Sequence, residues 1–207
     1  MIAAAPHICL IALGANLPSP AGLPTETLRA ALGRFGEEML NLRAVSRFFR
    51  SPAFPAGSGP DYVNACAIAE TALAPEDALA ALHRIEAGLG RVRHDRWGAR
   101  GIDLDLIAMD DRLVPDAGTH ARWRDLPLEQ QMREAPGHLL LPHPRLQDRA
   151  FVLIPLAEIA PGWRHPVLGQ SVREMLDRLP ESEKAALSPI SAAECEPPAL
   201  AKANGSD

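Results

Sequence analysis

Two carboxylates and a cluster of arginines stand next to one another in the middle of this 207-residue chain. Asp103 and Asp105 lie one residue apart within the apolar run GIDLDLI, and the stretch GRVRHDRWGAR leads into them. Side chains alternate between the two faces of a β-strand, so a strand here would point both aspartates to one face, with their attachment points about 6.5 Å apart. Ile102, Leu104 and Leu106 would point the other way, into the core.

Two carboxylates at this spacing repel each other unless a cation or a proton lies between them. Magnesium suits such a pair, because it prefers carboxylate oxygens and completes its coordination with waters and substrate phosphates. The pair therefore indicates a site that holds a magnesium-bound polyphosphate for transfer. The alternative is a solvated strand face with two acids, which is the more common meaning of an isolated pair with this spacing.

The neighbouring arginines favour the phosphate interpretation. Arginine binds phosphate oxygens through two parallel hydrogen bonds, and the chain as a whole carries a net charge of -5. An anion site beside a metal site explains a local excess of positive charge better than a basic surface loop that balances nearby acids. Trp97 could stack on a base or fill a core position. The four arginines are Arg91, Arg93, Arg96 and Arg100.

Further polar residues could bind the two ends of a substrate. His143 lies between two prolines and Arg149 follows six residues later, so both could donate hydrogen bonds to a phosphate, although an exposed turn histidine is the more common case. Tyr62 and Asn64 share one face of a predicted strand, and Asn64 could bind the edge of a flat heterocycle.

Two aromatic residues could enclose that heterocycle. Phe54 lies in the loop SPAFPAGSGPD and Phe151 follows Arg149. Aromatic rings stack on flat ligands, but for each of these residues a core position is the more common interpretation.

The composition argues against several function classes. The sequence has two lysines, Lys184 and Lys202, so a Walker-type phosphate loop and a Schiff-base enzyme, which both need a lysine, are not expected. The net negative charge argues against general nucleic-acid binding. No apolar stretch is long enough to span a membrane, the N-terminus lacks a basic region before its apolar run, and three scattered cysteines suit a reducing compartment. We expect a cytoplasmic protein with no nucleic-acid or membrane partner.

The predicted elements follow the order β-α-β-β-α-β. Strands are predicted over 8–13, 42–50, 62–71 and 101–109, with helices over 25–36 and 75–88. This order is typical of the α+β, ferredoxin-like fold, an antiparallel sheet with helices packed on one face. We expect a single domain over 1–180, with an irregular polar insertion at 115–137 and additional C-terminal elements that include a short helix over 171–179. A disordered tail is expected at 181–207.

Five stretches occur in the order of a known family over most of residues 8–165: IALGANL, RSPAF, PDYVNACAIAE, RIEAGLGRVRHDRWGARGIDLDLI and LPHPRLQDRAFVLIPLAEIAP. In these stretches the chain resembles the 6-hydroxymethyl-7,8-dihydropterin pyrophosphokinases of folate biosynthesis. The resemblance implies transfer of the terminal diphosphate of ATP to the hydroxymethyl group of a reduced pterin, with AMP as the other product. It also implies the ferredoxin-like fold, two Mg²⁺ ions and loops that close over the substrates.

The resemblance further implies a role for individual residues. Asp103 and Asp105 would bind magnesium, and catalysis would depend on them together with Arg91, Arg100 and Arg149. The nucleotide would contact Glu86, Arg91, Arg93, Trp97, Leu106, His143 and Arg149. The pterin would contact Ser51, Pro52, Phe54, Tyr62, Asn64 and Phe151.

The chain departs from the family pattern at the insertion 115–137 and at His83, His138 and Leu140, where some members place polar residues. We expect a monomer without a second folate-pathway domain. Two other interpretations stay open. One is a different magnesium-dependent nucleotidyl or glycosyl transferase that uses the Asp-x-Asp pair, and the other is a non-catalytic ferredoxin-like module with a regulatory or interaction role.

Overall fold

One antiparallel sheet organises the molecule. The computed structural model describes residues 5–53, 57, 59–91, 101–127, 130, 133–191 and 194. Its strands are β1 (His7–Ala15), β2 (Asn41–Val45), β3 (Phe49–Ser51), β4 (Tyr62–Thr71), β5 (Asp103–Met109) and β6 (Ser188–Pro189). The order across the sheet is β5-β1-β4-β3-β6, and β2 also pairs with β4. Every one of these pairings is antiparallel, which confirms the predicted α+β architecture.

Two helices cover the first face of the sheet, as predicted. They are α1 (Pro24–Gly33) and α2 (Pro75–Gly88). Both begin with a proline, which is favourable in the first turn because its missing N–H has no helical partner there. The first core lies between these helices and alternate residues of β1, β4 and β5, including Leu28, Leu82 and Leu104.

A second helical layer covers part of the opposite face, which the prediction of helices on one face did not include. Its helices are α4 (Ala150–Ile159) and α5 (Val172–Arg178). The physical reason is that β1 and β5 are apolar on both faces for much of their length. Leu10 and Ile107 point away from the first core, and α4 buries them together with Leu153 and Leu156. The capping box of Ser171 and Glu174 fixes the start of α5 and confirms the short helix predicted there.

β5 alternates as the sequence predicts. Leu104 and Leu106 are buried in the first core, with Ile102 just before them. Asp103 and Asp105 are half-buried on the other face. Further along the strand, a register shift relative to β1 occurs between Leu10 and Ile11. Beyond this shift the second face of β5 is apolar, so the charged part of the face is confined to the N-terminal end of the strand.

The predicted strand over 42–50 is divided in two. Ser46 interrupts it by pairing with Cys66 of β4: the Ser46 N–H donates to the Cys66 carbonyl at 2.9 Å, and the Ser46 hydroxyl accepts from the Cys66 N–H at 2.9 Å. Arg47 then turns outward to Glu158 of α4, which accepts from its backbone N–H at 2.9 Å and from its Nε at 2.7 Å. The chain therefore resumes the sheet as the separate strand β3.

Two regions that follow β5 in the chain are more ordered than their composition predicts. Residues 117–124 of the polar insertion form α3 (Ala117–Arg124), where Asp116 accepts from the Thr119 N–H and His120 and Trp123 are buried. Residues 181–190, assigned to a disordered tail, form α6 (Glu181–Ala185) and β6. The tail returns to the sheet because Ile190 is apolar: it is buried, and its N–H donates to the Phe48 carbonyl at 2.8 Å. Residues 195–207 lie outside the described part. Among the helices of the described residues, none has the length and apolar character needed to cross a membrane.

Candidate active site

The register of the sheet brings the aspartates onto the same face as Asn64, one of the predicted pterin residues. Gly14 of β1 pairs with Asp103 on one side and with Asn64 on the other. Two residues earlier in β1, Ala12 pairs with Asp105 on the β5 side. Directly paired residues share a face, and neighbouring strands lie about 5 Å apart. The first aspartate and the asparagine therefore stand about 10 Å apart on one face.

The floor between these polar groups is formed by small residues. Gly14 has no side chain, and a Cβ built there would meet the Asn64 Oδ1 at 3.7 Å. Ala12 is the corresponding residue beside Asp105. A flat ligand and a phosphate chain could thus lie against the backbone of β1 between the amide and the carboxylates.

The amide end of the site is held rigidly. The Asn64 Nδ2 donates to the Ser51 hydroxyl at 2.9 Å, and both residues are buried. Tyr62 pairs with Ser51 in the sheet and is half-buried, while Pro52 is exposed at the end of β3. Because the Asn64 Nδ2 is bonded to Ser51, the Asn64 Oδ1 lies on the side of Gly14. There it could accept a hydrogen bond from a ligand.

Asn16 follows the end of β1 beside the proposed site, and the sequence analysis did not single it out. It is buried, and its Nδ2 donates to the Pro60 carbonyl at 3.1 Å. This bond joins the end of β1 to the loop that precedes β4. The signal available in the sequence is the Gly-Ala-Asn run that follows the predicted first strand.

Arg91 links two acids at the carboxylate end. Its Nη2 lies 2.8 Å from the Asp103 Oδ1, and its Nη1 contacts the Glu86 Oε1. Glu86 is 1% exposed, and the same Oε1 accepts from the Leu104 N–H at 2.7 Å. The Glu86 carboxylate of α2 therefore fixes the position of Arg91 and also that of the first residues of β5.

Burial raises the pKa of Glu86 to about 7, while the Leu104 N–H and the Arg91 charge act to lower it. Near neutral pH the Glu86 side chain therefore exists in both its protonated and its ionised form. It contacts Arg91 and the backbone of β5, and a direct contact between Glu86 and a nucleotide remains a prediction. The Leu106 side chain points into the first core, so a nucleotide contact there would have to use its backbone.

His143 approaches the aspartates from the outer edge of β5. Its N–H donates to the Ile107 carbonyl at 2.7 Å, and its Nδ1 accepts from the Arg145 N–H at 3.1 Å. A neutral ring whose Nδ1 accepts must carry its proton on Nε2, so Nε2 can donate to a ligand. Burial lowers the pKa of His143 to about 3, with a further contribution from the Arg149 charge, so the ring is neutral at pH 7.

Arg149 stands at the N-cap of α4. Burial lowers the pKa of its guanidinium, while the charges of Asp105 and Asp103 oppose this effect, and an arginine remains protonated at neutral pH. Its guanidinium carbon also lies 5.5 Å from the centre of the Phe151 ring, which is exposed. The two predicted regions, the aspartate strand and the His143–Arg149 segment, are therefore brought together.

The carboxylate pair fits magnesium better than a metal that needs several protein ligands. No group of three or more His, Cys, Asp or Glu side chains that could hold a metal ion occurs among the described residues. Magnesium is commonly bound by one or two carboxylates together with substrate phosphates. Arg91 forms an ion pair with Asp103, whereas within the described residues no ion pair engages Asp105. Four further predicted site residues lie outside the described part: Phe54, Arg93, Trp97 and Arg100.

The chain is similar in sequence to proteins of one known family. The chain matches the family model of 7,8-dihydro-6-hydroxymethylpterin-pyrophosphokinase over residues 10–161. A 2-amino-4-hydroxy-6-hydroxymethyldihydropteridine pyrophosphokinase of Synechocystis is 33% identical over 174 residues, which cover 84% of this chain and 76% of the relative. The protein with the same name in Pseudomonas aeruginosa is 38% identical over 172 residues, which cover 82% of this chain and 90% of the relative.

Solved structures share the fold. The crystal structure of Plasmodium falciparum HPPK-DHPS A437G/K540E with pterin and p-hydroxybenzoate superposes with a TM-score of 0.60 at 12% identity, over 84% of this chain. The wild-type protein with SDX-DHP gives a TM-score of 0.58 at 14% identity, over 83% of this chain. In both cases the match covers 43% of the solved chain. At these identities the likeness concerns the fold alone.

Proposed function

The chain belongs to the 7,8-dihydro-6-hydroxymethylpterin-pyrophosphokinase family, and on this basis we propose how its residues carry out the family's reaction. The protein transfers a pyrophosphoryl group from ATP to 6-hydroxymethyl-7,8-dihydropterin in folate biosynthesis, with release of AMP. The match over residues 10–161 carries this conclusion. The assignment of roles to individual residues is our proposal.

We place the pterin at the amide end and the triphosphate at the carboxylate end of the shared face. Asn64, held by Ser51, would bind the edge of the pterin, with Tyr62, Pro52 and Phe54 around the ring and Phe151 across it. The separation of about 10 Å between Asn64 and Asp103 suits a bicyclic ring followed by a hydroxymethyl group and a phosphate.

The reaction would be an in-line displacement at the β-phosphorus. The pterin hydroxyl oxygen forms a bond to this phosphorus while the bond to the oxygen that bridges the α- and β-phosphorus atoms breaks, and AMP leaves with that oxygen. The hydroxyl proton is lost to solvent. No covalent intermediate with the protein is needed, and positioning and charge stabilisation supply the catalysis.

Two Mg²⁺ ions are proposed, held by Asp103 and Asp105 together with the phosphates of ATP. When bound, they would neutralise phosphate charge and make the attacking hydroxyl more acidic. Asp103 would also keep Arg91 in place, because the two residues form an ion pair at 2.8 Å.

The cationic and hydrogen-bonding groups would act on the transferring phosphates. Arg91 and Arg149 would stabilise the charge that develops in the transition state, and Arg100 is assigned the same role. His143 would donate from Nε2 while it remains neutral. The remaining contacts with the nucleotide are assigned to Glu86, Arg93, Trp97 and the backbone of Leu106.

We further propose a cytoplasmic monomer with a single catalytic domain, which contains the predicted residues 1–180 and extends to Ile190, since this residue packs in the first core. ATP as the donor supports the location, as do two cysteines, Cys9 and Cys66, that are free and buried. Light scattering of the purified protein would test the monomer.

Product analysis tests the proposed function. The protein is incubated with ATP, magnesium and 6-hydroxymethyl-7,8-dihydropterin, and we expect AMP and the pterin diphosphate in equal amounts. The matched control is 6-methyl-7,8-dihydropterin, which has the same ring but no hydroxyl and should release no AMP. Formation of ADP, or AMP release with the control compound, would contradict the proposal.

A further inference from the structure

Two histidines away from the aspartates are completely buried, and each leaves one ring nitrogen unpaired. His120 lies on α3, within the insertion, and His165 lies between α4 and α5; both are 0% exposed. Their ring centroids are 6.0 Å apart, with the rings inclined at 62°. Within the described residues, the His120 Nδ1 and the His165 Nε2 have no hydrogen-bond partner. A buried polar atom without a hydrogen-bond partner destabilises the folded state, so we expect each of these two nitrogens to have a partner.

The contacts of the other two nitrogens define which ring atoms carry protons. The His120 Nε2 faces the Pro142 carbonyl oxygen at 2.8 Å, so it must donate. In the tautomer with the proton on Nε2, Nδ1 is an acceptor. The His165 Nδ1 accepts from the N–H groups of Val167 at 3.2 Å and Leu168 at 3.3 Å, so its proton lies on Nε2. Burial lowers the pKa of His165 to about 4, which keeps this ring neutral. The two unpaired atoms are therefore complementary, one a donor and the other an acceptor.

His120 acts on the peptide group that carries His143. The Pro142 carbonyl, which accepts from His120, and the His143 N–H belong to the same peptide plane. That N–H donates to the Ile107 carbonyl of β5 at 2.7 Å. The peptide plane is thus held from the side of the insertion by α3 and from the side of the sheet by β5. Since this plane orients the Cα–Cβ bond of the histidine, the two bonds together direct its ring.

We propose that His165 and His120 form a hydrogen-bonded relay, through one buried water, that positions His143. The His165 Nε2 donates to the water, the water donates to the His120 Nδ1, and the His120 Nε2 donates to the Pro142 carbonyl. A water between the rings would have one donor and one acceptor from them, and buried waters typically have two to four such partners. Polarisation along the chain would strengthen the last bond.

A metal ion between the rings is not compatible with these contacts. It would need a lone pair on the His165 Nε2, but the two backbone N–H groups at Nδ1 require the ring proton to be on Nε2. The relay instead gives the insertion a role: α3 supports the loop that carries His143. His120 is accordingly a positioning residue, and its effect on turnover rests on the proposed function of His143.

Two substitutions at His120 test the relay. His120→Phe keeps an aromatic ring, slightly larger than imidazole, but removes both hydrogen bonds. His120→Gln retains an amide N–H that can reach the Pro142 carbonyl. We expect His120→Phe to lower kcat about 10- to 100-fold, as misplacement of a catalytic group does, with little change in KM for the pterin. His120→Gln should recover most of this loss. Trp123→Leu is the matched control: it changes the other buried side chain of the same helix, which is not a member of the relay, and should leave kcat within a few-fold of wild type.

Nitrogen NMR of the ¹⁵N-histidine-labelled protein, without ligands, tests the relay independently of the reaction. We expect both His120 and His165 to be protonated on Nε2 and not on Nδ1. The ring signals of His143 should shift in His120→Phe and not in Trp123→Leu. If the wild type releases no AMP, the proposed function fails, but these signals still decide whether the relay exists.

His165→Asn provides a second variant in case His120→Phe does not fold. The asparagine Oδ1 can still accept from the Val167 and Leu168 N–H groups, but the donor at Nε2 is lost, so a smaller, several-fold fall in kcat and a shift of the His143 signals are expected. A proton found on the His120 Nδ1 would overturn the relay. So would unchanged His143 signals in every folded variant of these two histidines.

Discussion

The two faces of β5 have opposite environments within one strand. On the face toward α2, Leu104 and Leu106 are 1% and 3% exposed within an aliphatic core. On the other face, Asp103 and Asp105 are half-buried above the small residues of β1. The difference between the faces indicates that the leucines stabilise the fold, whereas the aspartates of the same strand carry the proposed binding of phosphate. It predicts that substitutions one residue apart should have separable effects.

The largest expected effect is on the polar face. Asp105→Ala should lower turnover about 10³-fold or more, because a magnesium ligand and its charge are removed where phosphate charge must be neutralised. The free energy of unfolding should change little, because relief of the repulsion with Asp103 is offset by loss of the favourable interaction with the buried Arg149 guanidinium. Steady-state AMP release at saturating ATP and magnesium, together with urea unfolding, measures both quantities.

Asp105→Asn is the control for shape, because it keeps the volume of the side chain but not its charge. It should lose almost as much activity as the alanine variant. Near-normal turnover in either variant at saturating magnesium would remove Asp105 from the mechanism.

The next effect belongs to the core face. Leu104→Ala should lower the free energy of unfolding by about 2–5 kcal/mol, through lost burial and the cavity that remains. The turnover of the folded fraction should stay within a few-fold of wild type, since the side chain points away from the site. Urea unfolding and activity per folded molecule make the comparison with Asp105→Ala direct. If folded Leu104→Ala loses turnover as severely as the aspartate variant, the two faces are not separable.

The extent to which the sequence could predict this arrangement depends on how local each signal is. The alternation of leucine and aspartate is local, because the period of a strand depends only on the backbone, and it placed the carboxylates correctly. The division at Ser46 depends on hydrogen bonds to Cys66, twenty residues away, and could not be seen in the run itself. The packing of α4 on the sheet depends on which apolar residues of β1 and β5 are left uncovered by α1 and α2. This is a property of the assembled sheet and not of any one segment.

The site shows the same limit. Arg91 and the aspartates were predicted from their spacing, and the approach of Arg149 was expected only as a further phosphate donor. The ion pairing of Arg91 with Glu86 could not be predicted, since it requires the end of α2 to meet the start of β5 across residues 92–100. The family resemblance named Glu86 as a residue near the nucleotide, whereas its buried contacts are with Arg91 and Leu104.

Glu86 is the exception to the comparison of the two faces, because it is a carboxylate on the core side. Its pKa is raised from 4.5 to about 7, so between these pH values the folded protein binds more protons than the unfolded chain. The contribution of this group to stability is therefore greatest below pH 4.5 and is lost as the pH rises through 7. Glu86→Gln should flatten this dependence, so that the difference in unfolding free energy between wild type and variant changes by about 1–3 kcal/mol from pH 5 to pH 8.

Urea unfolding of both proteins at a series of pH values measures this difference. A difference that stays constant across the series would show that Glu86 titrates at the same pH in the folded and unfolded states. In that case the effect of burial on the pKa of Glu86 is fully offset by Arg91 and the Leu104 N–H.

The smallest effect is expected at the floor of the polar face. Gly14→Ala adds a methyl group 3.7 Å from the Asn64 Oδ1, which is an ordinary contact distance. The free energy of unfolding should change by less than about 1 kcal/mol, since alanine loses less backbone freedom than glycine on folding. The methyl group nevertheless stands where the pterin is proposed to lie, so KM for the pterin should rise several-fold, with a smaller change in KM for ATP.

Gly33→Ala is the matched control for Gly14→Ala. A Cβ at Gly33, at the end of α1, meets no atom within 4 Å, so it makes the same chemical change away from the site. Its two KM values should equal those of wild type. If Gly14→Ala also leaves the pterin KM unchanged, the ligand does not lie against β1 between Asn64 and Asp103, and the polar face binds phosphate without forming the floor of the pterin site.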